Sequence, residues 1–189
     1  MSHEERKKMR KIFSVFLIGV LLTTLWVLGY AEESMPQKIV VRSSAFREGD
    51  RIPSDFTCDG ADMSPPIEWS GVPTQTQSLA VIVEDPDAPS GNWTHWLAYD
   101  LSPELTQLPA RIPAGEKISM GGSQGLNDFW KPGYRGPCPP NGEHRYFFKI
   151  YALDAMLRLK PGASRQELSQ AMQGHILAEG QLMGKYNRS

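Results

Sequence analysis

The run of apolar and polar positions along the chain predicts short strands, long Pro- and Gly-rich connections and one late helix. Lys38–Arg42 is short and β-branched, a first strand. Glu48-Gly49-Asp50 reads as a turn between Phe46 and Ile52, and Ile67–Trp69 alternates as a short strand. Leu79–Glu84 (LAVIVE) is an unbroken apolar run rich in β-branched residues, which predicts a central strand. His95–Leu101 predicts another, with His95, Leu97, Tyr99 and Leu101 on one face. Ser102–Met120 reads as a long connection and Gly121–Gly125 as a flexible one. Arg145–Leu153 is the longest aromatic strand, and His144, Tyr146, Phe148 and Ile150 share a face. Ser164 and Glu167 then form a capping box. It precedes a helical stripe of Leu168, Ala171, Met172, His175 and Ile176, which Leu182–Ser189 could briefly continue. Many strands and one helix give a mainly β fold, a two-sheet antiparallel β-sandwich with a C-terminal helix. No internal repeat interrupts it, so residues 32–189 form one domain.

The N-terminus departs from this pattern. Residues 1–11 carry five basic side chains against two acidic, and Ile12–Gly29 then runs 18 residues without a charge. Gly29 and Ala31 supply small residues at the −3 and −1 positions of a signal-peptidase site. Residues 1–31 therefore read as a signal peptide and the remainder as an exported domain, periplasmic or secreted. The alternative is an uncleaved anchor at residues 12–29, a length at the lower limit for spanning a bilayer. Removing residues 1–31 leaves 15 basic and 19 acidic side chains, a net charge of about −4. No basic run follows residue 11, which argues against nucleic acid as a partner. Membrane contact is expected only through an uncleaved N-terminus.

Both cysteines, Cys58 and Cys138, fall in the exported part and in turn-rich sequence. In an oxidising compartment they read as a disulfide. Closing so long a loop is worth roughly 4–5 kcal/mol in the chain-entropy model. Two separate thiols are the alternative; neither has a second Cys or His at ligand spacing, so no metal is assigned to them.

Two stretches carry candidate chemistry. Gly133–Tyr146 (GYRGPCPPNGEHRY) holds three prolines and three glycines, so it is neither helix nor central strand, yet it delivers His144, Arg145 and Tyr146 to a strand start. Asp85-Pro86-Asp87-Ala88-Pro89 leads in the same way to Trp93-Thr94-His95-Trp96. Stiff loops feeding polar groups onto strand ends are a common way to build a binding site on a rigid scaffold.

These motifs resemble the phosphatidylethanolamine-binding protein family, and most closely its bacterial and archaeal branch, the Raf-kinase-inhibitor-like proteins. The resemblance rests on Asp85–Pro89, His95-Trp96, Gly133-Tyr134, Gly136–Pro140 and His144–Tyr146. Cys58-Asp59-Gly60, Ser64-Pro65-Pro66 and Gly174-His175 add to it. It spans roughly Val40–Arg188. Asn127-Asp128-Phe129 also fits, but the family usually places Gly where this chain has Trp130, so that residue is expected to reshape a pocket edge. The resemblance implies a pocket built by Asp85, Asp87, His95, His144 and Tyr146, with the Gly136–Pro137 backbone at its rim. It implies a ligand that is a small phosphate-bearing anion or phospholipid head group, no cofactor, no catalysis, and a protein partner such as a kinase or protease. It also implies a cis peptide bond in the first loop, for which Pro89 is the candidate.

The residue types suit that chemistry. Imidazole N–H and phenol O–H groups can donate to an anion, and imidazole can become cationic near neutral pH. Asp85 and Asp87 repel phosphate, so their natural role is to accept from the second imidazole nitrogen or from a head-group ammonium. An enzyme is the competing class: His95, His144 and Asp85 could hold a metal in a hydrolase, although no nucleophile is tied to a base by motif. A carbohydrate-binding sandwich requires Trp93 and Trp130 to be exposed; Trp93, Trp96 and Trp130 otherwise read as core and pocket wall. His175 reads as a structural histidine of the helix stripe. Asp59 and Asp62 lack a Ca²⁺-loop ligand set and read as turn residues.

Overall fold

The computed structural model describes residues 37–188; the expected signal peptide and its cleavage lie outside them. The described residues form β1 (Gln37–Lys38), β2 (Val40–Arg42), β3 (Ile67–Ser70), β4 (Ser78–Asp85), β5 (Trp93–Leu101), β6 (Gln107–Leu108), β7 (Ser123–Gln124), β8 (His144–Leu153), α1 (Arg165–Met172) and β9 (Ile176–Tyr186). Six strands make one sheet in the order β1-β9-β8-β4-β5-β7, and β2-β3-β6 make a second. All pairings are antiparallel except β1 with β9. The fold is mainly β, with two antiparallel sheets and one helix near the C-terminal end.

The predicted first strand divides at Ile39. β1 joins the large sheet, β2 joins the small one, and the Ile39 amide bonds the Glu179 carbonyl at 2.8 Å. Ile39, Val41, Ile67, Trp69 and Leu108 pack with Val81, Val83, Trp96, Phe148, Ile150 and Leu182 of the large sheet to form the main core. A second cluster, Ala80, Ile82, Leu97, Tyr99 and Leu153, is covered by Leu168 and Met172 of α1. Every residue of β4 is buried. Its two faces serve the two clusters, which is why its sequence does not alternate.

Two departures from regular pairing place the β5 side chains. The β4–β5 register shifts between Val83 and Glu84, which face Trp96 and Thr94, so His95 is the extra residue of a bulge. His95 thereby turns toward Tyr146 of the main core, on the side of Trp96. A second shift, at Leu79/Val81, coincides with Asp100 at φ 53°, and Leu101 joins the main core with Ala98. Only Leu97 and Tyr99 keep the face expected for all four residues. Along β8, Tyr146, Phe148 and Ile150 lie in the main core and His144 stacks on Tyr146, as the alternation predicts.

The capping box forms: Ser164 Oγ accepts from the Glu167 amide, and the Glu167 carboxylate accepts from the Ser164 amide. The helix stops at Met172, with Gly174 in the left-handed region at φ 77°. His175 and Ile176 are therefore not on the helix. His175 pairs with Asp154 at 2.7 Å, and Ile176 opens β9. The tail expected to prolong the helix is the longest strand of the fold, paired with β8 over its length. Its inward positions include Gly180 and Gly184. A Cβ at Gly180 would lie 2.0 Å from the Ile39 carbonyl oxygen, and one at Gly184 2.5 Å from the Ile52 side chain. The Gly121–Gly125 stretch contains β7, buried against β5, rather than a flexible loop.

Candidate functional site

A cavity of about 210 Å³ opens where β4, β5 and β8 meet the two Pro-rich loops. Asp85, His95, His144 and Tyr146 line it, together with Ala88, Pro89, Ser90, Trp93, Phe129, Cys138, Pro139 and Pro140. The Tyr146 ring stands between the imidazoles. It meets His95 edge-on, centroids 5.3 Å apart, and lies nearly parallel to His144 at 6.5 Å. Phe129 packs edge-to-face on both His95 and Trp93.

Asp85 orients the centre. Its Oδ2 accepts from His144 Nδ1 at 2.8 Å and its Oδ1 from the Asp87 amide at 2.8 Å. His95 Nδ1 lies 2.6 Å from the Arg135 carbonyl oxygen; a carbonyl has no proton to give, so Nδ1–H donates. In the neutral imidazoles this arrangement leaves Nε2 as the unprotonated nitrogen. Burial pushes the His95 pKa down, against the opposing pull of the Arg135 carbonyl and of the Asp85, Asp128 and Asp62 charges. The Tyr146 hydroxyl is buried beside the Asp85 carboxylate and the Cys138 backbone, but makes no hydrogen bond of ordinary geometry within the protein. Burial, followed by the Asp85 charge, pushes its pKa up, so it is a neutral phenol.

Other expected site residues take different positions. Asp87 does not line the cavity. It receives the Arg145 amide, Nε and Nη2 at 2.7–3.0 Å, and the guanidinium holds its carboxyl down at about 2. Gly136 and Pro137 stand behind the wall that Cys138, Pro139 and Pro140 present. The Gly136 amide bonds Asp62 Oδ1 at 2.7 Å, and the Pro137 carbonyl accepts from the Cys58 amide at 3.1 Å. A Cβ at Gly136 would fall 2.4 Å from the Phe56 carbonyl oxygen, so close packing excludes a side chain there. Cys58 and Cys138 form a disulfide that ties this wall to the turn at residues 57–60. Asp59 bonds the Tyr186 hydroxyl and Arg188, and Asp62 bonds Arg135, so both brace loops.

Two expectations are overturned. The peptide bond before Pro89 is trans, as are all others among the described residues; the Gly91 amide closes the turn on the Ala88 carbonyl at 2.9 Å. Trp130 is neither core nor pocket wall. It is 83% exposed, in the left-handed region at φ 62°, where its amide bonds the Asn127 carbonyl. Trp96 is core and Trp93 pocket wall, so among the described residues Trp130 has no second exposed indole with which to form a stacking platform.

The sequence reading did not single out the Arg135 carbonyl, the orienter of His95, because a backbone group leaves no signature in side-chain identity. Phe129 could have been found: Asn127 fixes it by accepting the Phe129 and Lys131 amides and donating to the Gly133 carbonyl. Among the described residues, no three His, Cys, Asp or Glu side chains are arranged to hold a metal ion. Each Asp85 oxygen already accepts a hydrogen bond, one from the Asp87 amide and one from His144.

Residues 42–187 match the family model described as phosphatidylethanolamine-binding protein. A UPF0098 protein of the archaeon Methanothermobacter thermautotrophicus is 50% identical over 148 residues, 78% of this chain and 98% of that protein. One from the bacterium Aquifex aeolicus is 47% identical over 151 residues, 78% and 88% of the two chains. A solved structure from Chlamydia trachomatis, titled a putative phosphatidylethanolamine-binding protein homologue, superposes with a TM-score of 0.73 at 41% identity, covering 80% of this chain and 99% of that one. E. coli YbcL, titled a new member of the mammalian family, gives 0.74 at 30% identity, covering 82% and 100%.

Proposed function

This chain belongs to the phosphatidylethanolamine-binding protein family, and from that membership we propose that it is an exported, non-catalytic binding module whose pocket holds a small phosphate-bearing anion or head group. The observation that carries this reading is the Tyr146 hydroxyl: buried, without a hydrogen bond of ordinary geometry, and set between two imidazoles whose Nδ1 atoms are already satisfied. Leaving a buried hydroxyl unpaired costs about 1–3 kcal/mol. A group that pairs with it on binding recovers that cost. Export is supported by the apolar segment at residues 12–29 and by the disulfide, which suits an oxidising compartment. Family members in general bind small ligands and protein partners. A kinase or protease partner would meet the exposed residues around the pocket mouth, Pro89–Asn92 and Pro140–Glu143.

Isothermal titration of the oxidised protein with inorganic phosphate and with O-phosphorylethanolamine tests the reading, alongside a metal assay. Saturable binding that His144→Ala abolishes, with circular dichroism unchanged, is the expected result. Absence of binding together with one stoichiometric metal ion per chain would replace this reading with the hydrolase.

A further inference from the structure

β5 begins without a strand on its outer side. β7 reaches it at Ala98 and Tyr99, and among the described residues no strand flanks its first positions there. The backbone groups that turn away from β4 take their partners from loops instead. Thr94 takes both from one residue: its amide donates to Asp128 Oδ2 at 2.6 Å, and its carbonyl accepts from the Asp128 amide at 3.0 Å. His95 does the same with Arg135. Its carbonyl accepts from the Arg135 amide at 3.0 Å, and its Nδ1–H donates to the Arg135 carbonyl at 2.6 Å. In a regular antiparallel strand, consecutive residues send their backbone groups to opposite sides. Here Thr94 and His95 both spend their carbonyls on loops, which is the bulge seen from its outer edge.

We infer that Asp128 is a positioning residue of the pocket: by holding Thr94 it fixes the bulge, and the bulge sets where the His95 imidazole points. Resting on the binding reading above, this adds to the site a residue outside the cavity lining. The bond from the Thr94 amide ends on a carboxylate, so it is charge-assisted and stronger than a neutral one. Asp128 is itself held. The Asn127 side chain accepts the Phe129 and Lys131 amides and donates to the Gly133 carbonyl, and the Trp130 amide closes the turn on the Asn127 carbonyl at 2.9 Å. The left-handed backbone of Trp130 belongs to this turn. Phe129, the residue after Asp128, packs edge-on against both Trp93 and His95. One turn thus grips the backbone just before His95 and presses a ring against its imidazole.

The inner side of the bulge is equally fixed. Glu84 faces Thr94 across the ladder, and its buried carboxylate is paired with Lys149 of β8 and Arg165 of α1. Thr94 is therefore held between two carboxylate-bearing residues, one on β4 and one on the outer turn. Asp128 also reaches His95 through its charge, as do Asp85 and Asp62, all three favouring the protonated ring. Charge and place are separable by substitution.

Asp128→Asn keeps an oxygen where Oδ2 stands and removes the charge. Asp128→Glu keeps the charge and moves the oxygens one methylene further out, and Asp128→Ala removes both. Long-range proton–nitrogen NMR spectra of the histidine rings, taken on the ligand-free protein at pH 7, report which ring nitrogen carries the proton. The expected result is that His95 keeps its Nδ1–H signal in the parent and in Asp128→Asn, and loses or shifts it in Asp128→Glu and Asp128→Ala, with His144 and His175 unmoved. Calorimetry with inorganic phosphate should then give an affinity within about twofold of the parent for Asp128→Asn and roughly tenfold weaker for the other two. An unchanged His95 signal in Asp128→Glu and Asp128→Ala would overturn the inference and leave Asp128 a loop brace. Loss in Asp128→Asn with retention in Asp128→Glu would overturn it in favour of charge, and movement of all three rings together would overturn it in favour of general loosening. Should Asp128→Ala fail to fold, the Asn and Glu variants decide between them. A parent protein that takes up no phosphate would sink the binding reading, while the ring spectra still decide the role of Asp128.

Discussion

His144 Nδ1 and Asp85 Oδ2 lie 2.8 Å apart, both side chains almost wholly shielded from water, while the other Asp85 oxygen holds the Asp87 amide. One carboxylate thus fixes an imidazole and the start of a loop together. Asp85→Asn keeps the volume but replaces one acceptor with a donor, so either the His144 N–H or the Asp87 amide loses its partner. The expected cost is about 1–3 kcal/mol in urea unfolding, with weakened phosphate binding. Unchanged values for both would remove Asp85 from the orienting role.

Asp87 couples the same loop to acid. Arg145 lowers its folded-state pKa to about 2, below the ordinary value near 3.8. Between those values the unfolded chain binds the proton more readily than the folded one. The contribution is therefore complete above about pH 4 and is lost as pH falls toward about 2. Asp87→Asn should flatten that limb of a stability-against-pH curve measured by chemical denaturation. An unaltered limb would assign the acid sensitivity to other carboxylates.

Gly180 marks where β9 passes beneath Ile39. Because an added methyl would sit 2.0 Å from a backbone oxygen, Gly180→Ala must push β9 and the Ile39 backbone apart. A loss of about 2–3 kcal/mol in equilibrium unfolding is expected. An alanine variant as stable as the parent would mean that this crossing yields easily.

Trp130 presents the opposite case. Its left-handed backbone costs a non-glycine residue about 1–2 kcal/mol, and its exposed ring gains little packing in return. Trp130→Gly removes the strain at an entropic cost of about 0.5–1 kcal/mol. A net gain of about 0.5–1 kcal/mol should appear as a higher unfolding midpoint. A lower midpoint would reveal a stabilising contact of the indole.

Strands whose buried faces carry large apolar side chains were legible in the sequence: β4, β8 and the body of β5. β9 was hidden because two of its inward positions are glycines, chosen for closeness rather than bulk, so its period of two reads as noise. The stripe that seemed to prolong the helix arose because Ile176 follows Met172 at helical spacing across a glycine turn. Asp85, His95, His144 and Tyr146 were legible as a set through their motifs. The bulge that aims His95 was not, because a bulge is a relation between two strands and neither sequence records it alone. The place of Asp87 was not legible for a related reason: an aspartate two residues from Asp85 has the right type, and only geometry reveals its pairing with Arg145 outside the cavity lining.

The disulfide has a consequence for how the molecule survives damage. Cys58 and Cys138 close a ring that contains Asp85 and His95, and the ring's exposed segment Ser90–Asn92 lies between those two residues. A single protease cut there severs the peptide chain without releasing a fragment, because both new ends remain on one covalent body. On a gel the nicked molecule would run as one piece until a thiol is added, and only then part into two.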